Sequence, residues 1–218
     1  MKVSRLLQIS GIASMFLVAA TVYAGGWAVV TIQDLPDYFV AGKSSSLVFK
    51  IRQHGVTLSD GMAASLTLSN DGGITAKAVV SPTGQPGEYK AIFTVPKAGD
   101  WTVEVDSGLF GTSKLLPIKA IPSGSPEPAP LADVTQGKRL FVAKGCITCH
   151  TNDAVGVKSL TSVGPDLTGK KYPTEYLKSL LADPKAALKK DSESWVEMPN
   201  LNLSKKEIGA IASFIHRG

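Results

Sequence analysis

Residues 122–130 read Pro-Ser-Gly-Ser-Pro-Glu-Pro-Ala-Pro. Four prolines in nine residues, with Gly and Ser between them, predict a semi-extended linker. The apolar pattern changes period across it, from two residues upstream to the longer helical period downstream. A chain of 218 residues suits one large domain or two small ones, and this stretch decides for two. The expected organisation is a leader over 1–24, a β-unit over 25–121, the linker over 122–132 and a helical unit over 133–218.

Upstream, Trp27–Ile32 is rich in β-formers. Residues 46–52, 64–69 and 74–80 alternate apolar and polar, and Tyr89–Val95, Trp101–Val105 and Leu115–Ala120 follow. Turn signals separate these runs: Ala41-Gly42-Lys43, Asn70-Asp71-Gly72-Gly73, Pro82-Thr83-Gly84, Pro86-Gly87 and Ala98-Gly99-Asp100. About seven short strands at this spacing predict an antiparallel β-sandwich. It holds no cysteine, so core packing alone must stabilise it.

Downstream, Asp133 is placed to cap a helix that runs to Lys144 and stops at Gly145. Pro173-Thr174 opens a second helix with Tyr176, Leu177, Leu180 and Leu181 on one face, and Pro184 ends it. Ser204-Lys205-Lys206-Glu207 is a capping box. It starts a last helix whose buried stripe is Ile208, Ile211, Ala212 and Ile215. The expected C-terminal fold is all-α, with a core thin enough that a prosthetic group would help to fill it.

At the other end, Lys2 and Arg5 precede an apolar run from Ile12 to Ala20, then Val22-Tyr23-Ala24. This is a secretory signal pattern with a small-residue cleavage site. The alternative is an uncleaved anchor over residues 6–24, which Gln8, Ser10 and Ser14 weaken. Either way the rest of the chain is expected outside the cytoplasm, in the periplasm or on the outer face of the membrane.

Charged residues make up 19% of the chain and Gly and Pro are ordinary, which excludes disordered, collagenous and low-complexity classes. Two cysteines are too few for a disulfide scaffold. Residues 25–133 carry a net charge of −2 and residues 134–218 a net of +5, the latter from eleven lysines and two arginines. Nucleic-acid binding would want clustered arginine interleaved with aromatics. A lysine-rich face that steers an acidic redox protein fits better, and solubility alone is the plainer alternative.

The chemistry sits in Cys146-Ile147-Thr148-Cys149-His150, which holds both cysteines of the chain. Cysteines at i and i+3 share one face of a helical turn, so both thiols can add to the vinyl groups of one porphyrin. The adjacent histidine then brings an imidazole nitrogen to the iron. The motif reads as attachment of one covalent haem c, with Cys146 and Cys149 as thioethers and His150 as the proximal ligand. A thioredoxin-like pair would want a βαβ context. A zinc site would need a distant fourth ligand such as His216. A three-residue disulfide loop would stabilise little.

Electron-transfer haems commonly take His and Met as axial ligands. Met198, in Glu197-Met198-Pro199-Asn200, is the only methionine after residue 62 and lies outside any periodic stripe. It is the expected distal ligand, with core filling as the alternative. His216, beside Arg217 at the C-terminus, reads as a solvated helix-end group.

On these residues, 133–218 resembles a class I c-type cytochrome. Gly137 and Phe141 with Phe214 resemble that family's contact between its N- and C-terminal helices. Gly164-Pro165-Asp166-Leu167 resembles the loop whose proline carbonyl accepts the proximal histidine N–H, so Pro165 is implied to orient His150. Met198-Pro199 with Leu201, Leu203 and Ser204 resembles the distal methionine loop. Trp195 and Tyr172 are weaker candidates for packing near the haem than for ordinary burial. Asp34-Leu35-Pro36, Gln53-His54-Gly55-Val56 and Gly87-Glu88-Tyr89 through Gly99-Asp100-Trp101 resemble the FixH/YtkA-like group of immunoglobulin-like domains. Some of those proteins are linked to oxidase assembly or copper handling. Here only His54 and Met62 could ligate copper, which is too few for a site.

The expected function is an exported monohaem electron carrier of a respiratory or photosynthetic chain, with the sandwich as docking module. It is either a free carrier or a subunit of a membrane complex. No catalytic residue is expected and no nucleophile–base pair stands out. The alternatives are a haem sensor or enzyme with an open iron, and a copper or oxidase assembly factor.

Overall fold

The computed structural model describes residues 26–188 and 197–217. The leader pattern over 1–24 and Trp195 lie outside the described residues.

The β-unit has eleven strands: β1 (Ala28–Ile32), β2 (Tyr38–Val40), β3 (Ser44–Gln53), β4 (Thr57–Leu58), β5 (Ser65–Asn70), β6 (Thr75–Lys77), β7 (Val79–Pro82), β8 (Glu88–Thr94), β9 (Gly99–Asp106), β10 (Thr112–Lys114) and β11 (Ile118–Ile121). One sheet runs β1-β3-β8-β7 with β4 on β3; the other runs β2-β11-β9-β5-β6 with β10 on β9. Pairing is antiparallel except between β2 and β11. Register sets Phe49 opposite Tyr89 and Leu47 opposite Ala91 in one sheet, and Leu66 opposite Val105 and Leu68 opposite Val103 in the other. All eight are buried, so alternate residues of both sheets meet in one core around Trp101. The expected sandwich is what forms.

Three details differ from the sequence expectation. The run 74–80 is two strands, because the chain crosses between sheets at Ala78: β6 pairs with β5 and β7 with β8. Only the second half of the run 115–120 is a strand, since Pro117 has no N–H for the ladder and β11 begins after it, while β10 lies before the run. The short strands β2, β4 and β10 were not expected.

The helical unit contains α1 (Asp133–Ala143), α2 (Cys146–Cys149), a 3₁₀ turn (Asp153–Val155), α3 (Thr174–Ala182), α4 (Pro184–Ala187) and α5 (Lys205–Arg217). Asp133 does not cap α1; Ala132 holds that position without a side-chain bond. Asp133 is the first helical residue, where its charge still suits the helix dipole. Pro184 starts α4 rather than only ending α3, and Asp183 Oδ1 accepts the Ala186 N–H at 3.1 Å. The capping box forms as expected: Ser204 N–H donates to Glu207 Oε2 at 2.8 Å and Glu207 N–H to Ser204 Oγ at 3.3 Å.

Helices α1 and α5 cross at Gly137. A methyl group there would collide with the Ala210 carbonyl and lie 2.8 Å from Phe214 Cβ. The Phe141 and Phe214 rings follow at 5.6 Å, and Leu140, Ile208 and Ile211 complete the buried seam.

The two units touch through the end of α1. Ala143 belongs to the sandwich core, and Leu35 packs against both cores. Gly145 (φ +82°) lies against Val29 and Val30. Arg139 Nη2 donates to the Pro36 carbonyl at 2.9 Å and Nη1 to that of Asp37 at 3.3 Å.

Candidate haem site

Helix α2 is a single turn that begins after Gly145 and ends at His150, whose backbone turns extended (φ −107°, ψ 136°). The His150 N–H donates to the Cys146 carbonyl at 2.9 Å. The turn therefore sets Cys146 and Cys149 on one face and sends the imidazole out from its end. The two thiols are unlinked. Burial pushes the Cys146 thiol up to about 12, and the neighbouring Cys149 adds to this. Burial raises Cys149 as well, against a hydrogen bond with Thr161. Redox dithiols work through a depressed thiol pKa, so this pair has the wrong electrostatics for exchange chemistry.

The segment that follows folds back over the turn. The Thr148 carbonyl accepts from Ser159 Oγ at 3.0 Å and from Thr161 Oγ1 at 2.8 Å. Gly164 N–H donates to the Cys149 carbonyl at 2.9 Å and Leu167 N–H to that of Thr151 at 2.8 Å. Between these two bonds His150 Nδ1 lies 3.0 Å from the Pro165 carbonyl. That oxygen only accepts, so Nδ1 carries the proton and Nε2 keeps its lone pair. Burial lowers the His150 pKa, against the Pro165 bond, and the ring is neutral at pH 7 as a metal ligand must be. Gly164 cradles the ring: a methyl group there would sit 2.5 Å from Cε1 and 2.6 Å from Nδ1.

Met198 is half-buried and packs on the same apolar cluster as Cys146 and Ile147. Tyr172 joins that cluster, and its carbonyl holds His216 Nδ1 at 2.9 Å. His216 is thus half-buried and partnered rather than solvated at a helix end. In the sandwich, His54 sits edge-on to Trp27 at 5.9 Å, while Met62 N–H donates to the Tyr89 hydroxyl and its methyl lies near Gly108. Among the described residues no three His, Cys, Asp or Glu form a metal-holding group.

The donor set fits a haem. Two thiols share a face, a neutral imidazole has its outer nitrogen spoken for, a thioether packs on the same apolar cluster, and a glycine makes room for the ring. Ser159, Thr161 and Asn152 were not expected. Asn152 is buried, its Oδ1 accepts the Ala154 N–H, and its Nδ2 has no partner among the described residues.

The sequence model of the cytochrome c family matches residues 134–218. That segment is a cytochrome c domain. The match begins one residue into α1 and takes in all the helices, so the cytochrome c domain and the helical unit are the same object. No curated protein matches the chain. Solved structures similar to it include the Lin-41 filamin domain (15% identity over 47% of this chain and all of that one, TM-score 0.36). The ZirS C-terminal domain is 9% identical over 56% of this chain and 86% of its own, with a TM-score of 0.35. A conjugative transposon lipoprotein from Bacteroides eggerthii is 16% identical over 42% and 93%, with a TM-score of 0.25. The sandwich assignment rests on the two sheets themselves. The match over 134–218 supports an electron-transfer haem protein.

Proposed function

We propose that the chain is an exported monohaem c-type cytochrome that carries electrons between redox protein partners and performs no substrate chemistry of its own. The observation that carries this reading is His150: one nitrogen bonded to Pro165, the other without a hydrogen bond among the described residues, beside two thiols on one helical turn. Cys146 and Cys149 would hold the haem as thioethers, His150 would bind the iron and Met198 would fill the opposite position. When bound, that group supplies a one-electron iron couple. The chain's own part is to fix the imidazole through Pro165, keep the ring neutral by burial and exclude water with the apolar seam. A soft thioether at Met198 favours the ferrous state and raises the potential. The lysines of 134–218 would supply a docking face for an acidic redox partner, in solution or in a membrane complex. The leader at 1–24 would deliver the chain outside the cytoplasm. Among the described residues no helix is long and apolar enough to cross a membrane.

The test is Met198→Ala in the full holoprotein. The reading predicts a lowered potential and a ferrous form that takes up carbon monoxide. An unchanged potential would remove Met198 from the iron.

A further inference from the structure

Lys144 stands two residues before Cys146, and Glu207 opens α5 nine residues after Met198. Both are charged, yet their side chains are only 5% and 20% exposed. Lys144 Nζ meets Glu207 Oε1 at 2.6 Å and also donates to the Gln33 carbonyl of the sandwich. The other Glu207 oxygen accepts from Ser204 N–H at 2.8 Å and from Ser204 Oγ at 3.0 Å. Ser204 closes the segment that carries Met198. The Lys144 carbonyl in turn accepts from Thr31 Oγ1 of β1 at 3.3 Å. One lysine therefore joins the attachment turn, the end of the methionine segment and the sandwich. Removing one partner of such an enclosed pair strands the other's charge, which costs far more than breaking an exposed pair such as Lys178–Glu175.

We propose that Lys144 and Glu207 are positioning residues for Met198. Their ion pair, clamped by the Gln33 carbonyl, ties the methionine segment to the attachment turn. The sandwich thereby sets how readily Met198 leaves its position. This rests on the reading of Met198 as the distal ligand. A ligand that competes for the iron binds only the opened form, so its apparent affinity reports the opened fraction.

The experiment titrates imidazole into the oxidised full-length holoprotein and follows the thioether-to-iron band. Lys144→Met and Glu207→Gln should each raise the apparent imidazole affinity about tenfold, the scale expected for coupled neighbours. Arg139→Met removes bonds to Pro36 and Asp37 rather than to the 198–204 segment. It should lower the melting temperature and leave imidazole affinity at the wild-type value. Wild-type affinity in both Lys144→Met and Glu207→Gln would overturn the proposal. An equal rise in Arg139→Met would also overturn it, by showing a general loss of stability. If Lys144→Met does not mature, Glu207→Gln decides alone. A wild-type protein without the thioether band would instead overturn the Met198 reading on which the proposal stands.

Discussion

His150 has one nitrogen committed to a backbone carbonyl, and on the proposed reading its other nitrogen would bind iron. The Pro165 bond selects the tautomer, burial keeps the ring uncharged, and Gly164 leaves space for it. A side chain at 164 has nowhere to go except into the imidazole. Gly164→Ala should therefore tilt the ring, lower the yield of haem-loaded protein and shift its Soret band, while the sandwich keeps its far-ultraviolet β signal. Soret absorbance per unit protein checks this. The turn that places Cys146, Cys149 and His150 together was legible because the motif is local, with all three inside five residues. The Pro165 carbonyl was legible only through resemblance, since any residue presents one. Ser159 and Thr161 were not legible, because a hydroxyl that binds a carbonyl eleven or thirteen residues away leaves no spacing rule. His216 misled for the same reason: its partner, the Tyr172 carbonyl, is 44 residues off.

At the level of elements, the crossing of α1 and α5 carries the helical unit. Backbone meets backbone at Gly137 and aromatic meets aromatic at Phe141 and Phe214. Gly137→Ala would force the helices apart, because the first obstacle is the Ala210 carbonyl and not a flexible side chain. It should destabilise the protein by about 2 kcal/mol or more, read from denaturant unfolding of the holoprotein. Phe141→Ala should cost about 3–5 kcal/mol in the same measurement. The seam was readable from the 3.6-residue stripe of α5 and the capping box that starts it. The strands were readable from alternation and turn residues. What escaped was the division of one alternating run between two sheets at Ala78. Alternation fixes which side chains face inward, and both β6 and β7 obey it, but nothing local says which sheet a strand joins.

At the scale of the whole molecule, the Pro-rich stretch connects two units that are fastened elsewhere, through Arg139, Ala143, Lys144 and Gly145. The residues joined are a hundred or more positions apart, so no local pattern announced the junction. Its charge predicts an acid response. Burial alone would raise the Glu207 carboxyl. The hydrogen bond from Lys144, the Ser204 N–H and the Lys144 charge outweigh it and hold the group below the ordinary glutamate range. A depressed carboxyl contributes stability that is complete above the unfolded pKa and is lost as pH falls through the folded one. Melting temperature should thus hold steady from neutral pH down to the ordinary glutamate range and fall below it. Glu207→Gln should start lower and show a shallower fall. A parallel fall in both proteins would place the acid sensitivity elsewhere.

The most direct test is an optical spectrum of the purified holoprotein, air-oxidised and then dithionite-reduced, with and without carbon monoxide. A six-coordinate iron held by His150 and Met198 predicts sharp reduced bands, a weak thioether-to-iron band at the red end when oxidised, and no response to carbon monoxide. A broad high-spin spectrum that shifts with carbon monoxide would contradict it, leave Met198 as core packing and make the chain a haem sensor or enzyme.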